Sequence, residues 1–314
     1  MSEEFLWVEK YKPDTIEDCI LPDNIKETFQ RFIERGEIPN MLLNGPPGIG
    51  KTTVAKTLCK QLGVDHYYIN GSDEGRFLDT VRNKARNFAS TVSLTSEANH
   101  KVIIIDEADN TTPDVQLLLR ASIEEFYNNC RFIFTSNYKN KIIDPLHSRC
   151  SVVEFSIKSK EKPKIALEFY ERLKDILTTE KVEYDSKVLL RVVDSYFPDW
   201  RRLLNECQRY SVCGRIDMAV LATFSDIDDT SLIKFMKEKN YPEVRLWVNS
   251  HLSNDPYVLL RKLFDSFHHK MVPTSIPQMV LIIAKYSHQH TMVADSEVNI
   301  LAALVEIMVE CEFK

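Results

Sequence analysis

Hydrophobic positions in the first half of the chain come in short unbroken runs: "MLLN" (41–44), "HYYIN" (66–70), "KVIIID" (101–106), "RFIFTSN" (131–137) and "SVVEFS" (151–156). Stretches with helical spacing separate them. Runs that are apolar at nearly every position, rather than at every second one, suit strands covered on both faces, and parallel strands need crossovers such as helices. The pattern predicts an α/β domain with a parallel sheet over residues 1–156.

After Ser156 the alternation stops. Helical spacing takes over in "PKIALEFYERLKDIL", "KVLLRVVDSYF" and "DWRRLLNECQRYSVCG", with Asp199 placed to cap the last of these and Gly214 to stop it. This predicts a small helical domain over 157–226. A polar stretch, "SDIDDTS" (225–231), reads as a linker, and the segments beyond it, among them "IPQMVLIIAKY" and "VNILAALVEIMVECEF", predict an all-helical third domain over 227–314.

Directly after the first run stands "GPPGIGKTT", Gly45 to Thr53, followed by the helical "VAKTLCKQL". Strand, glycine-rich loop and helix in that order match the G-x-x-x-x-G-K-[ST] phosphate loop. In the loop Gly45, Pro46, Pro47, Gly48, Ile49 and Gly50, the glycines let backbone N–H groups turn inward around phosphate oxygens. The new helix adds partial positive charge at its N-terminus. Lys51 is expected to reach the β- and γ-phosphates, and the Thr52 hydroxyl, next to Thr53, to hold Mg2+.

The run "KVIIID" ends in Asp106 and Glu107. Two acids at a strand end otherwise form a solvated edge, but beside a phosphate loop the first is expected to bind Mg2+ through water and the second to polarise an attacking water. "RFIFTSN" ends in Asn137, whose amide reaches the γ-phosphate if this strand lies between the other two, and otherwise merely makes a turn.

Charge narrows the picture further. With 40 Lys+Arg against 46 Asp+Glu the net charge is -6, which argues against wholesale wrapping of nucleic acid or of an anionic membrane. Any basic site must be local. One candidate runs through Arg76, Arg82, Lys84 and Arg86, where Phe77, Val81, Ala85 and Phe88 form an apolar stripe and leave Arg82 and Arg86 on another helical face. That face suits either a DNA backbone or plain solvent. The seven cysteines are odd in number and form no C-x-x-C pair, so reduced thiols in a cytoplasm are expected, and no segment reads as a signal or a membrane span.

With "WVEKYKP" (7–13), "DEAD" (106–109), "TSN" (135–137), "SRC" (148–150) and "DWRRLLNECQ" (199–208) added to the phosphate loop, the chain resembles the AAA+ ATPases and, within them, the clamp-loader subunits of DNA replication. "TIEDCILP", "NGSD", "NFAS" and the closing "CEFK" resemble the branch found in T-even-type bacteriophages. The letters "DEAD" also occur in DEAD-box RNA helicases, but the sequence has no second recombinase-like domain and no Ser-Ala-Thr motif.

The resemblance implies an AAA+ P-loop sheet domain, a helical lid and a helical collar, with ATP as the nucleotide. It implies that Arg149 acts as an arginine finger on the next subunit; without it, a surface arginine paired with an acid such as Glu154 is the ordinary reading. It assigns Arg201, in preference to Arg202, to the γ-phosphate of its own site. It sets the adenine against Val8, Glu9, Lys10, Tyr11, Pro13 and Ile20, although Trp7 and Tyr11 are equally suited to the core. The implied partners are a sliding clamp, primer–template DNA, further copies of the chain and a loader subunit without ATPase function. Two other readings stay open: a branch-migration motor or helicase loader, and a non-catalytic nucleotide-binding scaffold.

Overall fold

A computed structural model describes residues 5–72, 85–91, 100–212, 214–216, 229–251, 256–290, 292–293 and 295–314. The five apolar runs form one parallel sheet from β1 (Met41–Asn44), β2 (His66–Asn70), β3 (Lys101–Asp106), β4 (Cys130–Ser136) and β5 (Ser151–Glu154), in the order β2-β3-β4-β1-β5. β4 therefore lies between β1 and β3. β1, β3 and β4 are buried almost throughout, whereas β2 and β5 at the edges bury one residue each, Ile69 and Val153. The sequence pattern treats all five runs alike, but only the central three are covered on both faces.

Successive side chains point to opposite faces, so each strand feeds two core layers. Leu43, Ile104 and Ile133 join Phe29, Leu58 and Phe155 on one face, while Leu42, Ile103, Phe132 and Phe134 join Leu119 and Ile123 on the other. α1 (Trp7–Lys10) opens the described chain, and the helices that cover the sheet include α2 (Asp23–Arg35), α3 (Lys51–Gln61), α4 (Arg86–Ser90), α5 (Pro113–Glu125) and α6 (Asp144–His147). Two strand ends differ from the sequence pattern. Asn137 falls just beyond β4, and β5 ends at Glu154 because Phe155, after one last bond from its N–H to Asn44 O at 2.7 Å, turns into the core against Phe29.

Three helices, α7 (Lys162–Thr179), α8 (Ser186–Tyr196) and α9 (Trp200–Ser211), follow with a two-residue parallel pair, β6 (Glu183–Tyr184) and β7 (Arg215–Ile216). Asp185 caps α8 by accepting from the Lys187 N–H at 2.8 Å, and Asp199 caps α9 by accepting from the Arg202 N–H at 3.0 Å. Phe169 and Trp200 stack at 4.1 Å between ring centres. These helices share one compact unit, 1–222, with the sheet domain, where the sequence reading separates the two at 156/157. The joining contacts are long-range and polar: Arg172 donates to Asp18 O and Tyr11 O, and Gln208 Oε1 accepts from the Trp7 N–H.

A second unit, 223–314, holds α10 (Asp229–Lys237), α11 (Tyr241–His251), α12 (Pro256–Lys270), α13 (Ile276–His290) and α14 (Ser296–Glu310). Its own core includes Leu232, Trp247, Leu263, Phe267, Ile282 and Leu304. Asp295 caps α14, and Glu306 accepts from Lys285 and from the Tyr286 hydroxyl on the neighbouring helix. Among the described residues no helix is long and apolar enough to cross a membrane.

Candidate functional site

The turn from β1 into α3 is built on left-handed backbone. Gly48 has φ +74°, and a Cβ there would lie 1.8 Å from Asp199 Oδ1 at the N-terminus of α9. Only glycine lets the loop and the lid helix approach this closely. Lys51 opens α3 and is buried at 7% exposure. Its Nζ donates to Gly45 O at 2.7 Å, Pro46 O at 2.9 Å and Asn137 Oδ1 at 2.8 Å, which uses all three protons of the ammonium. Strand order makes the last bond possible, because β4 delivers Asn137 beside the loop that follows β1.

Burial pushes the Lys51 pKa down to about 8, against the opposing pull of Asp109, Asp106 and Glu107, with the positive charge of Arg201 adding to the decrease. A bound polyphosphate favours the ammonium, so above that pH the free protein must take up a proton to bind. Nucleotide affinity is expected to hold steady below about pH 7.5 and to fall by up to about tenfold per pH unit above about 8. Titration calorimetry at high pH in two buffers of different ionisation enthalpy checks this by the proton taken up. Folding stability of the free protein moves oppositely over the same window, because the unfolded chain holds its lysine proton up to the ordinary value of 10.5.

Asp106, at the end of β3, accepts three hydroxyl bonds. Thr52 and Thr135 donate to Oδ1 at 2.5 and 2.6 Å, and Tyr68 donates to Oδ2 at 2.8 Å. A carboxylate and a threonine hydroxyl in contact form a hard oxygen donor pair, which suits Mg2+ rather than a softer metal. Burial, followed by the bond to Asp106, raises the Tyr68 pKa far above the usual phenol range. Glu107 follows at φ 54°, a left-handed conformation that is strained for a non-glycine residue. Its N–H donates to Thr135 Oγ1 at 2.9 Å and its carboxylate accepts from Asn110 Nδ2 at 3.1 Å. Asp109 accepts from the N–H groups of Asn137 and Tyr138, both at 3.2 Å, and so ties the end of β3 to the end of β4.

One cavity of about 750 Å³ joins these groups, a size that suits a nucleotide. Of the residues picked out in the sequence, it brings together Val8, Glu9, Tyr11, Pro13, Ile20, Pro47, Gly48, Ile49, Gly50, Lys51, Thr52, Thr53, Asp106, Glu107, Asn137 and Arg201. Gly45 and Pro46 line an adjoining hollow of about 440 Å³ with Asn137, Tyr138 and Phe155. Arg202 lies instead over the Tyr196 ring at 5.2 Å, so helix phase separates the two neighbouring arginines.

Four of the residues weighed in the sequence take partners that it did not name. Lys10 does not line the cavity, because its ammonium reaches Glu180 Oε1 at 2.7 Å, the same oxygen that takes the Tyr11 hydroxyl. Trp7 is buried at 4% exposure and packs edge-on to Tyr11, so of its two readings the core one holds. Arg149 does not pair with Glu154, which takes Lys139; its Nε and Nη2 donate to Glu124 at 2.8 and 2.5 Å, away from the cavity of its own subunit. Arg86 pairs with Glu125 at 2.5 Å, while Ala85 and Phe88 face the core; Arg76, Arg82 and Lys84 lie outside the described residues. The sequence reading missed Tyr68, Thr135 and Asp109. The last two stand inside the quoted "TSN" and "DEAD", but nothing local marks Tyr68.

Residues 41–157 match the model of the ATPase family associated with various cellular activities (AAA), and residues 161–222 match that of the sliding-clamp-loader large subunit, AAA+ ATPase lid domain. The chain is 33% identical to the sliding-clamp-loader large subunit of Enterobacteria phage T4 over 100% of this chain and 98% of the relative, and equally to that of Escherichia phage RB69. It is 32% identical to the replication factor C small subunit of Sulfurisphaera tokodaii over 98% of this chain and 97% of the relative. Among solved structures, the Thermotoga maritima RuvB Holliday junction branch migration motor matches with a TM-score of 0.54 at 21% identity, covering 75% of this chain and 80% of that one. That likeness is one of fold alone.

Proposed function

Because the chain belongs to the sliding-clamp-loader large-subunit family of AAA ATPases, we propose that it is the motor subunit that loads a sliding clamp onto primer–template DNA, binding ATP to hold the clamp open and hydrolysing it to let go. The observation that carries this reading is a full-length match to clamp-loader subunits combined with an intact Lys51, Asp106, Glu107 and Asn137 around one cavity. In this reading the loop amides and Lys51 hold the β- and γ-phosphates. Thr52 and Asp106 hold Mg2+, which when bound neutralises charge building on the phosphates. Glu107 accepts the proton of the attacking water, and Asn137, free to leave Lys51 once phosphate replaces it, orients that water. Arg201 closes the lid on its own γ-phosphate, and Val8, Tyr11, Pro13 and Ile20 enclose the adenine.

Arg149 serves a neighbouring copy, so the functional form is an assembly of several copies with a loader subunit lacking ATPase function, in the cytoplasm of the host cell. Arg86 and the stretch 76–84 contact DNA by charge alone, which suits a machine that must accept any junction. The rival branch-migration reading has only a fold-level likeness behind it, and the complete set of reacting groups speaks against a passive scaffold. The decisive measurement is ATP turnover of the assembly with clamp, with primed DNA and with both. Stimulation is expected to need both together; turnover indifferent to the clamp would sink the proposal.

A further inference from the structure

Tyr68 belongs to no motif, yet it touches the centre of the site. β2 and β3 pair in parallel with Asn70 opposite Asp106, so Tyr68, two residues earlier, projects from the same face of the sheet as Asn70. Its hydroxyl donates to Asp106 Oδ2 at 2.8 Å, and it lines the nucleotide cavity. Above its ring, 3.8 Å from the centroid, lies Nζ of Lys56, one turn beyond Thr52 on α3. The structure assigns to Tyr68 the role of a positioning residue for the metal site: it holds the Asp106 carboxylate in the orientation that receives Mg2+, and its ring keeps Lys56 from neutralising that carboxylate.

The assignment follows from counting donors. Thr52 and Thr135 both serve Oδ1, and Oδ2 has Tyr68. Under the metal-site reading above, on which this inference rests, the Thr52 hydroxyl turns to the cation. Thr135 and Tyr68 then remain, one on each oxygen, and a carboxylate held at both ends cannot rotate about its terminal bond. Bonds to a charged acceptor are the strong ones, and each is directional. The ring contributes separately. An ammonium over an aromatic face is already partly satisfied, whereas the same ammonium paired with Asp106 would compete with a divalent cation for one carboxylate.

The test is a Mg2+ titration of nucleotide binding, with ribose-labelled fluorescent ADP as the probe and the full chain as the protein. Tyr68→Phe keeps the ring and loses the hydroxyl, and its Mg2+ midpoint is expected to rise about tenfold, the loss of one charge-assisted hydrogen bond. Tyr68→Leu also releases Lys56 and should raise it further. Binding of the probe in EDTA should stay within about twofold of the parent for Tyr68→Phe, which keeps the ring under Lys56 and alters no phosphate contact, and thermal unfolding should confirm that both variants fold. An unchanged Mg2+ midpoint in Tyr68→Phe, or an equal loss by that variant in EDTA, would overturn the role of Tyr68. A parent protein whose binding ignores Mg2+ would overturn the metal-site reading itself, and this inference with it.

Discussion

Replacing Arg149 by alanine is expected to lower the ATP turnover of the assembly by about a thousandfold, while nucleotide binding stays within about twofold of the parent. The asymmetry is the point. Arg149 lies outside the cavity of its own subunit and holds Glu124, so it has nothing to contribute to binding there. Its pair with Glu124 lies at the surface, where ion pairs are screened by water and hold little of the fold, so the variant should fold and assemble. Arg149→Lys is expected to recover little, because an ammonium lacks the planar fork that grips phosphate oxygens. A mixing experiment identifies the site served. Subunits carrying Lys51→Ala but an intact Arg149, added to Arg149→Ala subunits, should restore part of the turnover, since each supplies what the other lacks. No rescue, or full activity of Arg149→Ala alone, would refute an action in trans.

Glu107→Gln should lower turnover by about a hundredfold to ten-thousandfold and leave nucleotide affinity intact. The amide keeps the size of the carboxylate and can still accept the Asn110 bond at 3.1 Å, so the turn should survive. What it loses is the ability to take a proton from water. The left-handed backbone at Glu107, anchored by the bond from its N–H to Thr135, is the geometric reason to expect a specialised role there. Single-turnover hydrolysis measured beside equilibrium binding separates the two effects. Turnover that persists would remove Glu107 from the chemistry, and a matching loss of binding would recast it as structural.

The parts of this molecule legible in advance share a short range. "MLLN" and "KVIIID" announce buried strands because every position of a central parallel strand meets a covering layer, and the whole statement is contained in four to six residues. The phosphate loop is equally self-contained, since its glycines and Lys51 act through the backbone turn that they themselves make. Asp185, Asp199 and Asp295 stand next to the helices they cap, and only Asp199 is singled out by the sequence pattern. Where the reading drifted, distant packing intervened: β5 stops early because Phe155 is drawn to Phe29, more than a hundred positions away.

The sequence by itself determined that a phosphate cradle follows the first strand, that acids close the third strand, and that helices replace the sheet after residue 156. Only the tertiary structure decided that Lys51 holds Asn137, that Tyr68 and Thr135 both serve Asp106, that Lys10 pairs with Glu180 instead of lining the cavity, and that Arg149 rests on Glu124. The reason is geometric. Periodicity records which face of an element is buried, whereas partners 29, 38 or 86 residues apart meet only because parallel crossovers set β2, β3, β4 and β1 side by side.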